Sequence, residues 1–239
     1  MTRAFAGHFL PLFFVAALTL GGCDKQNLDM LASLSPPSNS RDASQQSPTK
    51  TLYLTIVEGL IEQGRYRAAL GYLDQYAVEE KRTPRFNMLR GEALLGVERY
   101  DEAAQSFSDL VGTDLEAAGL NGLGRVDAAR EHWAEAELNF GKAVAARPSS
   151  ADFLNNLGFA QLHLGETMLP KAEFNLRQAQ EIDPSSSSIR NNLVLILMME
   201  GKEDDARRVL DSIAVPRERA AVQKFAADWI EARHMPAAE

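Results

Sequence analysis

The sequence predicts an all-α solenoid of five helical hairpins closed by a C-terminal helix, and three observations predict it. A small residue recurs as Ala69, Ala103, Ala136, Ala172 and Ala206, in steps of 34, 33, 36 and 34. Four residues after each stands a large apolar one: Leu73, Phe107, Phe140, Leu176 and Leu210. Between Leu120 and Pro184 the same order is written twice. It runs Leu123-Gly124, Trp133, Ala136, Phe140, Ala143, Pro148, then Leu157-Gly158, Leu169, Ala172, Leu176, Ala179, Pro184. A period of about 34 residues is the length of one helix-turn-helix unit, which buries its apolar face only when a neighbour stacks on it.

Residues 1–22 read as a targeting segment. Arg3 supplies a basic start, Phe9 to Leu20 an apolar run, and Gly21-Gly22 the small residues before a processing point. The run is shorter than the roughly 20 apolar residues a membrane-spanning helix needs. Leu20-Gly21-Gly22-Cys23 resembles the bacterial lipobox, and Cys23 is the single cysteine of the chain. The resemblance implies that Cys23 becomes the acylated first residue of the mature protein, held firmly by three fatty chains where one would hold it marginally. Asp24 follows, and resembles the signal that retains enteric lipoproteins in the inner membrane; other lineages read neighbouring positions. Residues 23–50 are then a linker by composition, with Ser33, Ser35, Ser38, Ser40, Ser44, Ser47, Pro36, Pro37 and Pro48. As a flexible coil it would reach about 30 Å.

Residues 51–215 carry the repeats. Three residues before the anchors stand Tyr66, Tyr100, Trp133 and Leu169, with Glu203 breaking the row, and the preceding helix carries the row Val57, Gly91, Gly124, Gly158 and Val194. Helices cross closely only where one offers no bulk, so a Gly or Ala marks the approach and an aromatic fills the gap beside it. Gly124 and Gly158 cost about 1 kcal/mol each against Ala inside a helix, which close packing offsets. Two extra residues near Thr167–Met168 account for the step of 36 and fall in a turn, where insertion does little harm. Pro84 opens the second unit; Pro148 and Pro184 end helices. This small/aromatic alternation resembles the tetratricopeptide repeat over about residues 52–213.

Residues 216–239 make one more helix and a tail. Val222, Phe225, Ala226, Trp229 and Ile230 fall on one stripe, with Arg217, Glu218, Arg219, Asp228, Glu231 and Arg233 mainly opposite. A solenoid needs a terminal element with one wet face, so this helix is expected to be the cap.

Chemistry is not where the residues point. The net charge of −8, from 25 basic and 33 acidic residues, disfavours nucleic acid, and 45% hydrophobic content suits a sizeable core. His132, His163 and His234 lack the i, i+4 pairing and carboxylate of a metal site. Gly119, Gly122 and Gly124 have neither the spacing nor the preceding strand of a phosphate loop and read as packing glycines. No Ser or Cys stands in a nucleophile's setting. The reading is a non-enzymatic protein without metal or cofactor.

Binding is the expectation. In tetratricopeptide arrays the first helix of each hairpin lines the concave groove. Carried over by register, the resemblance implies a peptide-binding surface of Arg85, Met88, Glu92, Asn121, Arg125, Asn155, Phe159, His163, Asn191, Leu195 and Met199. Asn155-Asn156 and Asn191-Asn192 hold equivalent places; either they pair with an extended peptide or one of each pair bonds across the repeat interface. The positions at which some arrays grip a C-terminal carboxylate hold Glu58, Glu92, Phe159 and Leu195, which does not suit that mode. Phe159, Leu195, Met198 and Met199 suggest an apolar floor instead.

A narrower resemblance rests on the lipobox, about five repeats, Asn155-Asn156-Leu157-Gly158, and Ile189-Arg190-Asn191-Asn192-Leu193-Val194-Leu195 followed by Gly201. Together these resemble the TadD lipoproteins of tight-adherence (Flp) pilus systems. That resemblance implies a periplasm-facing pilotin or assembly factor whose partner is an outer-membrane secretin subunit or another pilus component. It implies the outer membrane, whereas Asp24 speaks for the inner one. The alternative is a cell-envelope adaptor for hydrolases, proteases or outer-membrane assembly with no pilus role.

Overall fold

The computed structural model describes residues 46–234. The targeting segment, Cys23 and Asp24 lie outside the described residues. Every regular element within them is helical. Five hairpins follow one another. They are α1 (Gln46–Glu62) with α2 (Tyr66–Glu79), α3 (Pro84–Gly96) with α4 (Tyr100–Ser108), and α5 (Glu116–Ala129) with α6 (Trp133–Ala146). Then come α7 (Ala151–His163) with α8 (Leu169–Ile182), α9 (Ser187–Met199) with α10 (Glu203–Asp211), and finally α11 (Pro216–His234). Each helix packs on its hairpin partner and on the next hairpin, and α11 packs on α9 and α10. The chain is a solenoid stacked in sequence order. No described helix is long and apolar enough to cross a membrane.

One boundary differs from expectation: α1 begins at Gln46, inside the stretch whose composition reads as linker. Pro48 sits in its first turn, where a backbone N–H has no partner within the helix in any case.

Two kinds of turn set the hairpins. Within four of them the first helix ends on a left-handed residue, Gly64, Glu98, Glu131 or Gly201, with φ of 70°, 63°, 61° and 70°. The next N–H then reaches back five residues: Arg65 to Leu60, Arg99 to Leu94, His132 to Asp127 and Lys202 to Leu197, at 2.8–2.9 Å. These bonds satisfy carbonyls that the helix end would leave open. The fourth hairpin departs from this because the two-residue insertion becomes a short 3-10 turn, Glu166–Met168, entered through Gly165 at φ 105°. Between hairpins the work passes to side chains: Thr83, Ser150 and Ser186 accept from the N–H of Phe86, Phe153 and Ile189.

The anchor alanines are buried, as are Leu73, Phe107, Phe140, Leu176 and Leu210. Phe107 is wedged between two hairpins: a Cβ on Gly91 would stand 2.7 Å from its ring, and one on Gly122 would overlap it. The ring of Phe140 closes on Gly124 in the same way, at 2.6 Å. The three glycines of the phosphate-loop look-alike are therefore packing glycines, since a Cβ on Gly119 too would stand 2.7 Å from the Phe107 carbonyl oxygen.

Candidate protein-binding groove

The first helices of the hairpins, α1, α3, α5, α7 and α9, touch one another in order and form one wall of the array. One register position runs along that wall as Glu58, Glu92, Arg125, Phe159 and Leu195. The wall is charged at its N-terminal end and apolar at its C-terminal end.

The polar contacts between successive first helices follow the same gradient. Arg85 on α3 meets Glu58 on α1 at 2.8 Å, and Arg125 on α5 meets Glu92 on α3 at 2.5 Å. Further along, neutral amides replace charges: Asn156 Nδ2 donates to Asn121 Oδ1, and Asn192 Nδ2 donates to Asn155 Oδ1, both at 2.9 Å. The two readings of the asparagine pairs separate here, because Asn156 and Asn192 bond across the repeat interface. Each neutral bond contributes about 1 kcal/mol net. The partly exposed Arg85–Glu58 pair is worth about 0.5 kcal/mol or less.

A second seam joins the first four hairpins in turn at the rim. Tyr66 lies against Gly96, the Arg130 guanidinium sits 5.7 Å over the Tyr100 ring, and Trp133 stacks on His163 at 3.6 Å. The partners are thirty residues apart each time. His163 is thus tied into packing: Phe159 meets it edge-on at 4.7 Å, and Trp229 of α11 does so from the other side at 5.8 Å.

The eleven residues expected to line the groove all lie on first helices: three on α3, two on α5, three on α7 and three on α9. Ten are half-buried. Leu195 corrects the expectation: it is 0% exposed, part of an apolar run from Leu193 to Leu197 that is buried throughout. A helix apolar on all sides needs neighbours on all sides, and α9 has α8, α10 and α11 around it. Phe159, Met198 and Met199 are packed into the same cluster with Val222, Trp229 and Ile230. The apolar end of the wall is thus covered by α11, whereas Arg85, Met88, Glu92, Asn121 and Arg125 lie on helices that α11 does not contact. Asn191, at the boundary, has its Oδ1 buried without a hydrogen-bond partner.

Sequence reasoning missed a third set of polar residues. Asn139 donates to Asp127, and Asn175 donates to the buried Gln161, each at 2.8 Å. These tie the two helices of one hairpin together. Their signal was an Asn three residues after the anchor in two successive repeats. It also missed the cluster where α8 meets the end of α9: Lys202 contacts Glu173 at 2.6 Å and Glu200 at 3.1 Å, and Arg177 contacts Glu173 at 2.7 Å. Burial, then the neighbouring Glu173, holds the Glu200 carboxyl above its ordinary value despite Lys202. Burial pushes Glu173 the same way, but its bonds from Lys202 and Arg177 outweigh that and hold it below. Among the described residues, no three His, Cys, Asp or Glu side chains group as metal ligands.

Comparison with known proteins agrees with this architecture. A family model for the tetratricopeptide repeat matches residues 54–118 and 121–167. A TPR repeat-containing protein of Pseudomonas aeruginosa is 27% identical over 219 residues, covering 90% of this chain and 83% of that protein. Among solved structures, a thermophilic TPR protein of Thermus thermophilus superposes with a TM-score of 0.61 at 19% identity, covering 74% of this chain and 97% of that one. Pseudomonas aeruginosa pilF gives 0.62 at 15% identity, over 78% and 86%. MamA of Desulfovibrio magneticus gives 0.55 at 20%, over 73% and 95%. At such identities the likeness is one of fold, and it coincides with the matched repeats and the stacked hairpins: the chain carries tetratricopeptide repeats between residues 54 and 167 and has the tetratricopeptide-repeat fold, one that serves as a scaffold for protein partners.

Proposed function

We propose that this protein is a lipid-anchored scaffold facing the periplasm, and that it serves the assembly of a tight-adherence pilus by binding a secretin subunit or another pilus component. The observation that carries the binding reading is the N-terminal part of the wall. There Arg85, Met88, Glu92, Asn121 and Arg125 are half-buried on adjacent helices and clear of α11. Side chains in that state offer contact area to an extended segment, and Arg85 and Arg125 have more N–H donors than their carboxylate partners take up. The lipobox at Leu20 to Cys23 supports the anchor, and the Asn-Asn-Leu motifs of α7 and α9 support the pilus assignment.

The test is capture of the secretin from detergent-solubilised envelopes. Arg85→Glu with Arg125→Glu should abolish it, and undiminished capture by that variant removes the groove from the account. Cys23→Ala should lose label from radioactive palmitate and leave the membrane fraction; a Cys23→Ala protein that keeps both ends the anchor reading. Fractionation of Asp24→Ser beside the parent decides between the two membranes.

A further inference from the structure

We infer that α11 occupies the apolar end of the groove as an intramolecular stand-in for a client, and that this end takes an amphipathic helix bearing an aromatic anchor. The inference deepens the groove reading and rests on it. A helix that only caps a solenoid has to cover the last hairpin. Trp229 goes further, past α9 to His163 on the preceding hairpin. The chemistry this surface accepts is therefore displayed by its present occupant. Val222, Trp229 and Ile230 lie half-buried around the fully buried Ala226, in one cluster with Phe159, Met198 and Met199.

The seating is light for a structural element. Among the described side chains of α11, only Ala226 is fully buried, and Phe225 is 38% exposed. By contrast, five consecutive residues of α9 are fully buried. The helix is tied at its base, where Arg219 donates to the Ile213 carbonyl at 3.0 Å and pairs with Asp211 at 3.2 Å. Its far half is seated through Ala226, Ile230 and the Trp229 ring, the last of which reaches furthest along the wall. A helix fastened at one end and docked at the other by three side chains, one of them aromatic, can swing off without the array unstacking. A competing helix gains access by supplying its own aromatic at that place.

The probe is a fluorescent peptide of residues 216–234, titrated by anisotropy against the full chain. The parent should bind it weakly, because its own α11 holds the site. Trp229→Ala should bind it at least tenfold more tightly, and adding Phe159→Asp should reverse that gain. Equal binding by parent and Trp229→Ala, or binding that survives Phe159→Asp, overturns the proposal. Native-state hydrogen exchange on the unmodified chain gives a reading independent of any variant's folding. Amides of α11 exchanging at least a hundredfold faster than those of α9 support a displaceable helix; the two exchanging together make α11 an integral cap and overturn it. Neither measurement involves a membrane or pilus component, so failure of secretin capture and failure of this proposal are told apart.

Discussion

Asn156 and Asn192 make the same bond one repeat apart, which makes them the plainest residues to test. Asn192→Ala leaves Asn155 Oδ1 without its donor, and should cost about 1 kcal/mol in urea unfolding. The sequence showed that these asparagines were equivalent, but not that Nδ2 of one would meet Oδ1 of another, because that depends on the rotation of neighbouring helices. The anchors were fully legible, since a recurring small residue has one physical reason to recur. Ala136→Leu adds three carbons at a buried crossing and should cost about 1–3 kcal/mol; a neutral result would move the register. The carboxylate cluster was not legible, because Glu173 and Glu200 belong to different hairpins. Its consequence is a pH dependence of definite sign. Glu200 is held above its unfolded value, so ionising it costs stability at neutral pH, and that stability returns as pH falls through its raised value. Glu173 acts oppositely: its contribution is lost only at lower pH, as its depressed value is crossed. From pH 7 towards 5 the parent should therefore gain melting temperature relative to Glu200→Gln. A constant difference would mean that Glu200 ionises normally.

At the scale of elements, the turn inside each hairpin separates what sequence reveals from what it hides. Gly64 and Gly201 announce left-handed residues, because glycine adopts that conformation without penalty. Glu98 and Glu131 occupy the same place with φ of 63° and 61°, and nothing in a glutamate marks it. The stacking of adjacent hairpins holds them there, at roughly 1 kcal/mol each. Replacing Glu131 with Gly should therefore stabilise the protein by about 0.5–1 kcal/mol, although the same change in a helix interior would destabilise it by a similar amount. Thermal unfolding of Glu131→Gly beside a helix-interior control such as Lys142→Gly in α6 distinguishes the two: both melting lower would mean that the turn is not left-handed in solution. The hidden start of α1 at Gln46 has a related cause, since Ser and Pro are frequent both in linkers and in first turns.

For the whole molecule, the decisive property is that the array is stacked in one dimension but is not uniform along it. In a solenoid each hairpin is stabilised only by its neighbours, so local stability follows local interfaces. The first hairpins share a buried apolar core, and their wall adds Arg85–Glu58 and Arg125–Glu92, pairs exposed enough for salt to weaken. The last are joined along the wall by neutral amides and by the buried run of α9, whose contribution salt does not reduce; their ion pairs, Lys202–Glu173 and Arg177–Asp205, run instead from α8 to the start of α10. Hydrogen exchange should thus be slowest in α7 to α9 and faster in α1 to α3, and raising the salt to about 1 M should speed exchange in α1 to α3 while leaving α9 unchanged. Uniform protection along the array, or a salt effect spread evenly over it, would mean that the charged and apolar ends are not energetically distinct. The gradient bears on function because the looser end is also the one whose groove residues stand clear of α11. A client at the charged end meets groove residues that α11 does not cover, whereas one that enters the apolar end has first to displace that helix.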